Sequence, residues 1–273
     1  MTTKKSALRQ YLDATKKETI LLGPIERHLL TLPQDTSRRQ DVLHPSEVTK
    51  DDWCIRASWF QVRGLKPAEP NPSLRLASIF AEGHSIHDKW QKWIGDADMM
   101  IGVWHCWEHG DWWGKRSDSC TFCEAVYKEV PVQHGDLDIA GHADGWLTTG
   151  HLLEIKSIGT GTLRAAGQPI SGDLSRDFSS ISRPFNNHIR QASLYIFCLR
   201  WMWENDLLHQ EPPDKLLFLY ECKADQAARE FVVKYDEEYL AGFLEKRMLL
   251  DLDSEAPPMC TGGDGCKQCA GLS

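Results

Sequence analysis

The chain has no uninterrupted apolar run of about 18 residues, so nothing in it reads as a membrane-spanning helix. Its first residues, MTTKKSALRQYLDATKK, lack the apolar stretch of a secretory signal. A cytoplasmic protein with no membrane partner is expected. Internal repeats and low-complexity tracts are also missing, so disorder is not the default reading. Nor is there an excess of positive charge: 31 Lys and Arg against 39 Asp and Glu give a formal net charge of -8. That argues against coating nucleic acid by bulk charge, although metal-binding carboxylates are counted in the balance and a local basic strip can still hold a phosphate backbone.

At 273 residues, 41% hydrophobic and 26% charged, the chain suffices for one sizeable core, or for a core with a small insert. It has nine cysteines. In a reducing compartment clustered thiols favour metal over disulfides.

Apolar spacing predicts a helix over 45–63 opened near Ser46, and another over 74–94 with Leu76, Phe80, His87, Trp90 and Ile94 on one stripe. Residues 101–125 show no clean period, are rich in Cys, His and Trp, and are expected to form a compact insert. Strand-like runs follow at 126–133, 137–147 and 151–158, joined by short turns as an antiparallel meander. Residues 159–185 carry no pattern and are expected as a long loop. A helix over about 186–206, strands KLLFLYEC and REFVVKY, and a helix over about 236–251 complete the chain.

The hairpin GHADGWLTTGHLLEIKSIG, residues 141–159, puts Asp144 ten residues before Glu154 and twelve before Lys156. Residues two apart on a strand share a face, so Glu154 and Lys156 project together, and the turn can return Asp144 beside them. Paired carboxylates suit Mg²⁺ or Mn²⁺, and a neighbouring lysine can meet a phosphate as a point charge. A bare E-x-K is usually a solvated ion pair. Here the apolar surroundings make an unpaired charge costly without a metal.

In order along the chain stand EGHSIHDKW with His87, GHAD with Asp144, LEIK with Glu154 and Lys156, and IRQASLY with Gln191 and Tyr195. This series resembles the RecB-like branch of the PD-(D/E)XK nuclease superfamily over roughly residues 45–270. The resemblance implies an α/β restriction-endonuclease-like core, with a mixed central sheet flanked by helices. It also implies a metal held by His87, Asp144, Glu154 and the Ile155 carbonyl, with Lys156 stabilising the attacked phosphate or positioning the water. Gln191 and Tyr195 would touch the DNA backbone or hold Lys156, and His188 shares their helix face. The expected activity is metal-dependent DNA exonuclease action on single strands or duplex ends, in recombination or repair, with recombination or helicase proteins as partners and a phage source plausible. A structure-specific endonuclease would share these motifs, and a catalytically silent DNA-binding or assembly module would share the fold.

Cys54 and the tail set Cys260, Cys266 and Cys269 resemble the four thiolates of the iron-sulfur RecB-like nucleases, among them the CRISPR-associated and AddB-type families. That implies a [4Fe-4S] cluster clasping the chain ends. The tail spacing C-x5-C-x2-C reverses the C-x2-C-x5-C order of those families, which keeps zinc as the alternative. A second set, Cys106, His109, Cys120 and Cys123, reads as a small Zn²⁺ ribbon, with His105 as a substitute for His109 and Trp104, Trp107, Trp112 and Trp113 as its miniature core. Cys198 and Cys222 read as small core hydrophobes.

The expected layout is a helical part over 1–100, the zinc-ribbon insert over 101–125, the nuclease core over 126–251 and a cysteine-rich clasp over 252–273 that pairs with Cys54. Arg164, Arg176, Arg183, Arg190 and Arg200 are candidates for the wall of a nucleic-acid channel. Lys4, Lys5, Lys16 and Lys17 are expected on a solvated helix.

Overall fold

A computed structural model describes residues 20–33, 38–67, 71–118, 125–252, 254–260, 266–270 and 272. The four N-terminal lysines, Cys120 and Cys123 lie outside them. The chain divides into two compact units, one of residues up to 38 with 68–82 and one of residues 39–67 with 83–273. The described part of the smaller unit holds α1 (Leu22–Thr31), where the Asn71 side chain donates to the carbonyls of Leu30 and Leu32.

The larger unit holds α2 (Pro45–Val48) and α3 (Ile55–Val62). In place of the single helix expected over 45–63, the backbone turns at Thr49, and Lys50-Asp51-Asp52 leads to Cys54 immediately before α3. The polar Lys-Asp-Asp run supplies no apolar side chain to continue the buried stripe. Helix α4 (Leu74–Asp96) runs close to its expected span, and its part from Gly83 onward belongs to this unit.

A mixed sheet of seven strands forms the centre. It comprises β1 (Met100–Cys106), β2 (Gly110–Lys115), β3 (Val126–Tyr127), β6 (Gly145–Leu147), β7 (His151–Ile158), β8 (Lys215–Cys222) and β9 (Ala228–Lys234), in the order β2-β1-β6-β7-β8-β9 with β3 also on β1. The pair β7–β8 is parallel and the others are antiparallel. The stretch expected as a separate insert therefore gives β1 and β2 to the central sheet. Tryptophans disguised these strands: Trp104 is buried and Trp113 sits edge-on to Trp146, while Trp107 is almost fully exposed at the hairpin tip.

The meander is also divided. Strands β4 (Val130–His134) and β5 (Ile139–Ala143) make a two-stranded sheet of their own, whereas β6 and β7 pair in the main sheet. The break between β3 and β4 falls near Glu129, whose φ of 61° is left-handed, and the break between β5 and β6 falls at Asp144. Both interruptions fall at acidic residues.

Parallel pairing of β7 with β8 requires a crossover. Residues 159–185, expected as a loop, begin it with two short helices, α5 (Thr160–Ala165) and α6 (Leu174–Ser179). The long helix α7 (Asn186–Glu204) completes it, and α8 (Ala241–Met248) follows the last strand after a short 3-10 turn.

Strand alternation decides what faces what. Leu153 and Ile155 join a core with Ile86, Met100 and Leu219, while Leu152 and Ile158 join the larger core with Ala192, Tyr195 and Leu199 of α7. By period two, Glu154 and Lys156 share the α7 side. Cys198 and Cys222 are fully buried in that core, as expected of small hydrophobes.

Candidate active site

Antiparallel pairing of β6 with β7 ends at Gly145 and Leu153, so the next step of the register sets Asp144 opposite Glu154. With no further β6 residue beside it, the Ile155 N–H is taken by the Asp144 side chain, whose Oδ2 accepts it at 2.6 Å. The motif glycine has a packing reason as well. A Cβ at Gly141 would lie 3.1 Å from Pro45 and 3.7 Å from the Tyr195 ring.

His87, on α4, brings Nδ1 to 3.3 Å from Asp144 Oδ1. Glu129 completes a group that the sequence did not single out: ligand atoms of His87, Glu129 and Asp144 all lie within 4.8 Å of one another. Gln91, one turn beyond His87, holds both partners, donating to Glu129 Oε1 at 3.2 Å and to the Asp144 carbonyl at 2.9 Å. The available signal was Glu129 itself, an acidic residue at the start of an apolar strand. It has no fixed spacing to the E-x-K pair, and its left-handed backbone was invisible.

Glu154 is 1% exposed, and Lys156 Nζ stands 2.6 Å from its Oε1. Lys156 is its ionic partner, and no backbone or other side-chain donor among the described residues reaches its two oxygens. A buried carboxylate with one ionic partner keeps lone pairs that a metal cation can also use. Burial, together with the Asp144 charge, raises its pKa to about 7, against the pull of Lys156.

The neighbours respond to the same field. Burial opposes ionisation of Asp144, but His87, Lys156 and the Ile155 N–H outweigh it and its pKa falls. Burial likewise works against charge on Lys156, yet Glu154 and Asp144 raise its pKa and keep it an ammonium. Burial and the Asp144 charge raise Glu129. On His87 burial is overcome by Asp144, which raises it.

From α7, Gln191 and Tyr195 come to this face as a chain. Lys156 Nζ donates to Gln191 Oε1 at 3.4 Å, and Gln191 Nε2 donates to Tyr195 Oη at 2.8 Å. The amide is thereby oriented, with its oxygen toward the ammonium. His188 instead serves the packing behind the strand, where the Tyr220 hydroxyl accepts the Phe185 N–H and shares a hydrogen bond of 2.6 Å with His188 Nδ1. Burial, then the charge of Lys156, holds His188 neutral with a pKa of about 3.

A cavity of about 940 Å³ lies at the N-terminal end of α7, lined among others by Lys50, Gln168, Arg183, Asn186 and Asn187. Of the five arginines expected along a channel wall, Arg164, Arg176 and Arg183 are exposed, and Arg183 donates to Asn186. Arg190 is committed to the Thr49 carbonyl and Asp51, and Arg200 lies 4.3 Å over the Tyr235 ring.

The two cysteine sets stand differently. Cys54, Cys260, Cys266 and Cys269 converge, with all four sulfurs within 4.8 Å of one another. In the second set Cys106 Sγ lies 3.4 Å from His109 Nδ1, while Cys120 and Cys123 fall outside the described residues. His105 instead pairs with Asp111 at 2.5 Å.

No protein-family model matches the chain, and no curated protein matches it. Among solved structures it is similar to the alkaline exonuclease LHK-Exo from Laribacter hongkongensis, at 14% identity over 77% of this chain and 89% of that one, with a TM-score of 0.40. The same exonuclease in complex with dAMP gives 12% identity, 76% and 85% coverage and a TM-score of 0.41. SSO0001 gives 12% identity, 91% and 89% coverage and 0.39. With every TM-score below one-half, these are loose likenesses of backbone from which no chemistry follows. No helix among the described residues is long and apolar enough to cross a membrane.

Proposed function

We propose that this chain is a divalent-metal-dependent deoxyribonuclease of the PD-(D/E)XK type, hydrolysing phosphodiester bonds as an exonuclease on single strands or duplex ends. The observation that carries the reading is the meeting of His87, Glu129 and Asp144, with Asp144 in register with a buried Glu154 that is paired to a protonated Lys156. Oxygen-rich donors with one imidazole suit Mg²⁺ or Mn²⁺, and the Glu154 carboxylate, paired only with Lys156 among the described residues, keeps lone pairs for a cation. His87, Glu129 and Asp144 are the residues that would hold it, joined by Glu154 and the Ile155 carbonyl as the motif resemblance implies. When bound, the ion supplies positive charge against the phosphate and polarises the reacting groups.

The protein's own residues do the rest. Lys156 presents a fixed ammonium where negative charge builds in the transition state. Gln191 positions that ammonium, and Tyr195 holds the Gln191 amide in the required orientation. Asp144 is fixed by the Ile155 N–H, so it meets a cation without reordering. The cavity by Arg183 and the α7 N-terminus is the proposed path of the strand. A setting in recombination or repair, with DNA as substrate, follows from the motif resemblance.

The test is degradation of end-labelled single-stranded and duplex DNA by anaerobically purified protein with Mn²⁺ or Mg²⁺, beside Lys156→Ala and Asp144→Ala. Cleavage by the wild type alone is expected. DNA binding by all three without cleavage would leave a silent binding module, and cleavage of closed circles would leave an endonuclease.

A further inference from the structure

The tail cysteines return to the start of α3. Cys54 immediately precedes that helix, and its Sγ is 3.9 Å from Cys260 Sγ. Cys260 and Cys269 are 3.5 Å apart, and Cys266 and Cys269 are 3.8 Å apart. No pair of the four exceeds 4.8 Å.

These separations measure what the site can hold. Four thiolates each about 2.3 Å from one zinc ion stand at the corners of a tetrahedron with an edge of about 3.8 Å. A [4Fe-4S] cluster is bound differently: each thiolate ligates a different iron, so the width of the cubane separates the sulfurs further. The three sulfur–sulfur distances lie around the single-ion edge and leave no room for a cubane. The donor set therefore does not fit the cluster that the motif resemblance implies.

We propose that Cys54, Cys260, Cys266 and Cys269 hold one tetrahedral Zn²⁺ as a structural staple. All four corners are taken by protein, which is the mark of a structural rather than a catalytic zinc. Zinc is favoured over a single ferrous ion because a given site binds it more tightly. Backbone and side-chain bonds hold the four cysteines in place. The Cys266 N–H donates to Cys260 Sγ at 3.3 Å, and the tail turns back on itself through Ala270 N–H to the Cys266 carbonyl at 2.8 Å. Arg56, on the first turn of α3, donates to the carbonyls of Pro257 at 2.5 Å and Leu272 at 2.8 Å. Gln268 closes the junction from the other side, donating to the Asp52 carbonyl at 2.9 Å. The inverted C-x5-C-x2-C spacing now has a correlate, a tight knuckle at Cys266–Cys269 with Cys260 folded over it. This inference is independent of the nuclease reading.

The experiment is metal and acid-labile sulfide analysis of the full chain, purified without oxygen, as wild type and as Cys269→Ser. Zinc without iron or sulfide is expected, with one equivalent fewer in the variant. Because the Cys106 set can add zinc of its own, a second variant, Cys106→Ser, is measured by X-ray absorption at the zinc edge. Its zinc should keep a shell of four sulfurs, and this measurement decides the matter should Cys269→Ser fail to fold. Iron with sulfide, iron alone, no zinc in Cys106→Ser, or a zinc shell with fewer than four sulfurs would each overturn the proposal.

Discussion

The carboxylate cradle beside β7 and the thiolate knot at the start of α3 each gather groups that are far apart in the chain, yet they are chemical opposites. The cradle is hard, built from oxygens and one imidazole, and beside it Glu154 has Lys156 as its ionic partner. The knot is soft, four sulfurs within 4.8 Å of one another, which the zinc proposal assigns to a single tetrahedral ion with no corner left over. An open shell beside a mobile substrate suits chemistry, whereas a closed shell suits stability. The two proposals thus assign one molecule two kinds of metal ligation for two purposes.

Chelation should separate the two most sharply. Brief treatment with EDTA is expected to abolish cleavage, restored by Mn²⁺ or Mg²⁺, while the melting temperature hardly moves because the tetrathiolate ion stays bound. A parallel loss of folded structure, followed by circular dichroism, would merge the two regions.

Replacing Lys156 by Ala removes fixed charge from the transition state and should lower single-turnover cleavage about 100- to 1,000-fold at saturating Mn²⁺. Glu129→Gln should weaken Mn²⁺ binding about 10- to 100-fold, read by titrating activity against metal, with the rate at saturation less affected. An unchanged metal dependence would remove Glu129 from the cradle.

The pH dependence follows from Glu154. Its pKa in the folded chain is raised to about 7, so in metal-free protein the folded state holds a proton that the unfolded state has lost between the ordinary carboxylate range and pH 7. Stability should therefore fall as pH rises through that window, by about 1.4 kcal/mol per pH unit from this group. Metal binding moves the other way, since the ligand must be deprotonated, and Mn²⁺ affinity should rise between about pH 6 and pH 8. Glu154→Gln should flatten the stability trend in denaturant titrations at those pH values.

The smallest effect expected is that of Tyr220→Phe. It leaves the Phe185 N–H and His188 Nδ1 without their partner behind the Lys156 strand, a cost of about 2 kcal/mol in urea unfolding with cleavage near the wild-type rate. A large loss of activity at unchanged stability would bring His188 into the catalytic group.

Much of the site was legible because it is written on regular elements. Glu154 and Lys156 alternate on one strand, and Gln191 and Tyr195 are one turn apart on one helix, so period alone places each pair on a common face. The less legible parts share a cause. Strand β1 alternates in burial but carries apolar residues on both faces, and β2 alternates in neither sequence nor burial, so pairing, not pattern, made them strands. Thr49 to Cys54 interrupts a helix by polar content that a wider apolar stripe concealed. Arg190 and Arg200, basic residues in a basic stretch, are tied to Thr49, Asp51 and Tyr235, partners distant in the chain.

The order of the motifs, the face shared by Glu154 and Lys156, and the identity of the four tail-and-helix cysteines could all be read from the amino-acid order, because local period and residue chemistry are properties of short segments. Packing was needed to bring Glu129 to His87 and Asp144, to spend His188 on Tyr220, and to set how far apart the four sulfurs stand. Those outcomes depend on where strands end and which elements meet. Such distances arise from contacts across the whole core, which no short segment encodes.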